Sequence, residues 1–166
     1  IYLVIDEPYR RIRYIDGEHP SALKASRYGI VASSFSKELG LAGERIGYLI
    51  VSSRIPNRET LISAMSVSTR ILGFVNAPAL MQRVLTRCND ISLDISEYRR
   101  HRDLLWNSLR SFGYEMPDPD GAFFLFPKAP GGDDLKFCRI LREHNVLCVP
   151  GRGFGVPGRI RISYAV

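Results

Sequence analysis

The sequence predicts an α/β chain in which a mainly parallel sheet domain over residues 1–90 is followed by a small α+β domain over 91–166. Three observations carry this. Short apolar, β-branched runs at 1–6, 29–34 and 46–52 are separated by stretches long enough for crossovers. A charge-dense helical pattern then runs over 91–111. Beyond it, short strand and helix patterns follow at closer spacing.

The elements follow in order. Residues 1–6 read as a fully buried strand, ended by acidic residues and Pro8. Residues 29–34 and 46–52 read as two further buried strands. Pro56 sits where a helix can begin, and Leu61, Ile62, Met65 and Val67 give 57–70 helical spacing. A second helix is expected over 77–88. The pattern at 91–111 is the longest, and Gly113 marks its end. Strands at 122–127 and 146–149 flank a helix near 133–144, and a last strand covers 159–165. Pro117-Asp118-Pro119-Asp120-Gly121 reads as a turn inside the second domain rather than as a linker.

Composition narrows the function classes. The chain has 166 residues, 45% hydrophobic and 24% charged, enough for a real core. Its net charge is +6, but basic and acidic residues are interleaved, so most of the charge reads as solvated helix faces and not as a nucleic-acid surface. No run reaches the roughly 18 apolar residues of a membrane span. The three cysteines show no metal-ligand spacing, and a reduced, cytoplasmic protein with inert thiols is expected. The chain opens and stops in apolar runs without an initiating Met, as expected of a piece of a longer protein.

Three motifs carry chemistry. Asp6-Glu7-Pro8-Tyr9 follows a predicted strand, and ligands of open α/β sheets bind beyond the carboxyl ends of strands. A turn-forming strand end is the plain alternative. Ser34-Phe35-Ser36-Lys37 follows another strand, with Arg45 eight residues past the lysine. Hydroxyls and a guanidinium suit a phosphate, and a lysine among them can act as an amine nucleophile. The order is not that of a P-loop, and a glycine-rich surface excursion would also fit. In the last strand Arg159, Arg161 and Ser163 share one face. An arginine in an apolar strand needs a partner, either a ligand carboxylate or an acidic side chain at a sheet edge.

Taken together, these motifs resemble the class I/II aminotransferases of fold type I, the aspartate aminotransferase superfamily. Asp6, Tyr9, Lys37, Arg45 and Arg161 fall in that family's order, and Gly121-Ala122-Phe123-Phe124 resembles another of its segments. The resemblance implies a C-terminal part of such an enzyme: the later half of the domain that binds pyridoxal 5′-phosphate (PLP), then the small domain without its final helix. It implies that Lys37 holds PLP through a Schiff base and carries a proton between substrate Cα and cofactor. Asp6 would pair with the pyridine nitrogen and Tyr9 with the cofactor's O3′. Ser34, Ser36 and Arg45 would hold the phosphate, and Arg161 the substrate α-carboxylate.

The activity implied is amino-group transfer between an L-amino acid and a 2-oxo acid in a cytoplasmic homodimer, with no nucleic-acid or membrane partner. Arg83 falls near a region where such enzymes can place a second carboxylate-reading arginine, but a helix-surface arginine is the simpler reading and no dicarboxylate preference is assigned. PLP-dependent lyases and synthases share these motifs, as do PLP-sensing aminotransferase-like domains of transcription regulators. The family's glycine-rich phosphate cup, ring-stacking aromatic and cofactor-contacting Asn do not occur in this sequence, so the chain alone is expected to be inactive.

Overall fold

The structure, a computed structural model, describes residues 1–88, 91 and 93–165. The chain divides into two compact units. The first comprises Ile1–Arg11 and Asp16–Leu93, the second Ile12–Ile15 and Asp94–Val166.

In the first unit, β1 (Leu3–Asp6), α1 (Ala22–Ala25), β2 (Gly29–Ser34), α2 (Phe35–Glu38), β3 (Gly47–Val51), α3 (Arg58–Ile71) and α4 (Ala79–Leu85) follow in order. β2 is the middle strand of three. It pairs parallel with β1, from Leu3↔Gly29 to Asp6↔Ala32. Its other edge pairs antiparallel with β3, from Ile30↔Val51 to Ser34↔Gly47. This corrects the expectation of a parallel third strand. The stretch between β2 and β3 forms only two single helical turns and no crossover helix, and the chain turns back on itself.

A second correction concerns burial. All three runs were expected to be buried, the first of them fully, and only β2 largely is, through Ile30, Val31 and Ser33. Val4 on β1 is 60% exposed and Leu49 on β3 50%. An apolar run signals the capacity for burial, but the neighbours that supply it lie elsewhere in the chain. Here α1 packs chiefly on β2. α3 and α4 form where helical spacing predicted them, within two or three residues at each end.

The second unit begins its main run with α5 (Ser96–Ser111), which starts later than the spacing at 91–111 suggested. Asp94 Oδ1 accepts from the Ser96 N–H at 2.9 Å, a side-chain turn that leads into the helix, while the N-cap, Ile95, has no side-chain capping bond. Part of that expectation, residue 92, lies outside the described residues. β4 (Phe124–Leu125), α6 (Asp134–Glu143), β5 (Val149–Pro150) and β6 (Ile160–Ser163) complete the unit, with β6 in the middle of an antiparallel sheet. The core gathers Ile12, Tyr14, Phe123, Leu125, Ile160 and Tyr164. Ile12–Ile15 is held by backbone bonds from Tyr14 N to Asp120 O and from Ala122 N to Ile12 O, both 2.9 Å. The 117–121 turn therefore lies inside this unit. The hydroxyls of Tyr14 and Tyr164 both donate to Ala122 O, at 2.7 and 3.2 Å, and burial pushes both phenols above the usual tyrosine range. Among the described residues no helix is long and apolar enough to cross a membrane.

A closed ion pair anchors the glycine-rich 151–158 segment. Asp134, the first residue of α6, is wholly inaccessible. It accepts from Arg152 N (3.0 Å), Nε (3.1 Å) and Nη2 (2.7 Å). A buried carboxylate stripped of such donors is strongly disfavoured, so the pair dictates where the segment lies. The side-chain bonds from Arg152, helped by backbone N–H groups of Arg152 and Gly158, hold the Asp134 carboxyl well below the usual range. A depressed folded-state value stabilises the fold above the ordinary aspartate range and loses that effect as pH falls through the folded value.

Asp134→Asn is therefore expected to lower the thermal midpoint at neutral pH. The gap to the unsubstituted protein should narrow as pH falls below about 4. It should exceed the effect of Glu97→Gln, whose exposed carboxylate meets only Arg100 and His101 on its own helix. A pH series of melting curves for the three proteins checks this ordering.

Candidate active site

Parallel pairing sends β1 and β2 out of the sheet at the same edge, and β3 enters there. Beyond β1, the Glu7 N–H donates to Ala32 O at 2.9 Å and Ser33 Oγ donates to Glu7 O at 3.1 Å. These bonds pin the turn that carries Asp6 and Tyr9 against β2. Beyond β2, the chain enters α2 directly, with Ser34 as its N-cap. The Ser34 side chain makes no capping hydrogen bond. Lys37 is half-buried on this single helical turn.

Glu38 ties the two segments together. Its buried carboxylate accepts the Arg11 N–H at 3.0 Å, joining α2 to the chain just past Tyr9. Burial pushes its carboxyl above the usual range, against the opposing effect of that bond, and the nearby Glu7 charge adds to the rise. Glu7 is itself buried, with Arg10 Nη1 and His19 Nδ1 each 3.5 Å from its Oε2. Sequence reading missed both acids as organisers. The available signal was their position: each directly follows a candidate residue, Asp6-Glu7 and Lys37-Glu38.

Arg45 arrives at the same edge after a single 3₁₀ turn, Ala42–Glu44. The Phe35 N–H donates to Ile46 O at 3.2 Å, and Ser34 lies opposite Gly47 in register. The approach is close: a Cβ on Gly47 would meet Ser33 O at 2.7 Å, so only glycine fits there. Arg45 itself adopts φ 51, a left-handed conformation that disfavours a β-carbon by on the order of 1 kcal/mol. Its Nη1 donates to Ala42 O at 2.9 Å, and no acid pairs with it among the described residues. Asp6, exposed at the end of β1, likewise pairs with no cation among them.

Asp6, Tyr9, Ser34, Ser36, Lys37 and Arg45 thus all lie on segments leaving or entering one end of the first unit's sheet. This end offers a primary amine, a phenol, two hydroxyls, and an acid and a guanidinium without counter-charges. The guanidinium and hydroxyls suit a phosphate, and the acid suits a protonated ring nitrogen. A neighbouring cavity of about 440 Å³, lined by Phe35, Ile46, Gly47 and residues of the α4 region, contains none of Asp6, Tyr9, Lys37 or Arg45. Arg83 is exposed on α4.

Arg161 belongs to the second unit. It is half-buried on β6, opposite Val149. Its guanidinium lies over the rings of Phe124, 4.5 Å from the centroid, and Phe154, 4.4 Å. It makes no hydrogen bond or ion pair with any described residue. Its neighbours differ: Arg152 is engaged by Asp134, and Arg159 donates to Phe126 O at 2.8 Å. The acid–arginine pair that was an alternative for Arg159 or Arg161 is not seen among the described residues; Arg152, on the turn before the strand, makes such a pair instead. The three cysteines are free and half-buried, and burial pushes the Cys138 and Cys148 thiols up, away from reactivity.

The family model for aminotransferase class I and II matches residues 1–166. A probable aspartate aminotransferase of Methanocaldococcus jannaschii is 34% identical over 99% of this chain and 45% of its own length. The aspartate aminotransferase of Thermotoga maritima is 32% identical over 99% of this chain and 43% of its own. The crystal structure of an amino transferase from Eubacterium rectale superposes with a TM-score of 0.92 at 41% identity, covering 99% of this chain and 42% of that one. The chain therefore spans less than half the length of these relatives. Because the family match runs through both units without interruption, the chain belongs to the class I and II aminotransferases.

Proposed function

We propose that this chain supplies the lysine side of a PLP site that moves an amino group between an L-amino acid and a 2-oxo acid. The observation that carries the reading is Lys37 on the turn directly behind β2, at the sheet edge where Asp6 and Arg45 have no counter-charge among the described residues. PLP fits this donor set, since it presents a phosphate, a basic ring nitrogen and an aldehyde. When bound, it supplies an electron sink for the charge left at the substrate Cα.

The chain's own residues do the rest. The Lys37 amine would hold the cofactor covalently and, when free, would be the base that takes the proton from the substrate Cα. Asp6 keeps a proton on the ring nitrogen by pairing with it. The Tyr9 phenol hydrogen-bonds the ring oxygen. Arg45 and Ser34 bind the phosphate, with Ser36 as a further donor, and the uncapped Ser34 hydroxyl supports this. Arg161 binds the substrate α-carboxylate through in-plane N–H groups that no described residue uses. Its position in the second unit makes substrate orientation a task for a different part of the chain from cofactor binding.

The same reading extends to a cytoplasmic homodimer. Unpaired thiols fit a reducing compartment, and exposed Ile71, Leu72, Phe74 and Leu80 fit a surface that packs against further protein. Because the chain spans under half of its relatives, we expect it to be inactive alone.

In the full-length protein loaded with PLP, Lys37→Ala should abolish the absorbance band of lysine-bound cofactor. An unchanged band would refute the assignment. Arg161→Lys should raise KM for amino acids roughly 10- to 100-fold, the scale of a lost charged hydrogen bond, while that band persists. Loss of cofactor in equal measure would contradict the carboxylate role. Arg45→Gly should leave the melting midpoint unchanged or higher, because glycine relieves the left-handed backbone, yet weaken cofactor affinity about tenfold or more. A calorimetric melt beside a PLP titration separates the two effects.

A further inference from the structure

We propose that Phe154 is a positioning residue that orients the Arg161 guanidinium and thereby sets affinity for the substrate carboxylate. The inference rests on the carboxylate role of Arg161 proposed above and deepens it.

The two rings over Arg161 reach it by different routes. Phe124 is fixed by the sheet: it lies opposite Ser163, so Arg161 is its diagonal neighbour on the same face. Phe154 comes from outside the sheet, at the end of the 3₁₀ turn Gly151–Phe154 that follows β5. That turn is held at its start. Gly151 is buried where a Cβ would meet Val156 O at 2.4 Å and Arg159 O at 2.6 Å, so the segment folds back tightly on itself. Arg152, the next residue, is clamped by Asp134. The edge of Phe126 then contacts the Phe154 ring, with centroids 6.2 Å apart. The closed ion pair of α6 therefore determines where the Phe154 ring lies, and the ring lies on Arg161.

Phe154 is not a core filler. It is 46% exposed, and its ring meets Phe126 and the Arg161 cation. An aromatic ring attracts a guanidinium through the guanidinium's face, while hydrogen bonds leave through its edge. Stacking and carboxylate binding therefore do not compete. The rings limit the rotation of a long side chain and exclude water from its faces. What remains available is the planar fork of N–H donors, matched to a planar carboxylate.

The test uses the full-length, PLP-loaded protein and a non-reacting carboxylate, 3-phenylpropanoate, titrated by calorimetry. Phe154→Leu keeps an apolar side chain of similar size without the ring and should weaken binding about five- to tenfold. Phe154→Tyr keeps the ring and should restore affinity to within about twofold. The band of lysine-bound cofactor should stay unchanged in both. Phe154→Met offers a second ringless variant with the same expectation as leucine. Leucine and methionine variants that bind like the unsubstituted protein, a tyrosine variant as weak as leucine, or parallel loss of cofactor would each overturn the inference. Arg161→Leu separates it from the reading beneath it. If that change leaves carboxylate affinity intact, the role of Arg161 itself fails. If only Arg161→Leu weakens binding, the positioning role of Phe154 alone fails.

Discussion

Because β1 and β2 run parallel and in register from Leu3↔Gly29 to Asp6↔Ala32, both segments leave the sheet at one edge, and everything assigned to the first unit's site follows from that. An antiparallel arrangement of the same two strands would put Asp6 and Lys37 at opposite ends. The hydrogen bonds from Glu7 N to Ala32 O and from Arg11 N to Glu38 Oε1 then fix the turn and the lysine helix against one another. Neither Glu7 nor Glu38 is assigned a ligand. Glu7 acts through its backbone N–H and C=O, and Glu38 through its buried carboxylate.

The charged groups fall into two sets. Asp134, with Arg152, and Glu38, with the Arg11 backbone, are buried carboxylates whose donors the fold itself supplies. Asp6, Arg45 and Arg161 have no partner of opposite charge among the described residues, although Arg161 lies half-buried in a sheet. The first set builds the scaffold, and the second stays without counter-charge among the described residues. A cation resting on two aromatic rings is electrostatically accommodated without being neutralised, which fits the carboxylate role proposed for Arg161.

Much of the arrangement was legible because several signals are local. Helices at α3, α4 and α6 lie close to where periodicity and flanking residues put them. The motif around Lys37 was legible because its residues sit at short, fixed spacing. Strand burial was not, since Val4 and Leu49 carry the same apolar signal as Val31 but lie on flanking strands. The direction of β3 was not legible from its composition either. Among site residues, the acids at 7 and 38 and the ring at 154 escaped notice because their partners lie far away in sequence or in neighbouring segments: Arg11 for Glu38, Arg161 for Phe154.

The sequence by itself determined which side chains are available and their order: an acid and a phenol after one strand, an amine and a guanidinium after another, and an arginine within the last. Those are matters of residue type and short-range spacing, which the covalent chain sets directly. Only the tertiary structure decided which charges are closed off and which stay open. That depends on contacts between residues tens of positions apart, such as Arg11 with Glu38 and Asp134 with Arg152, and no local pattern encodes them.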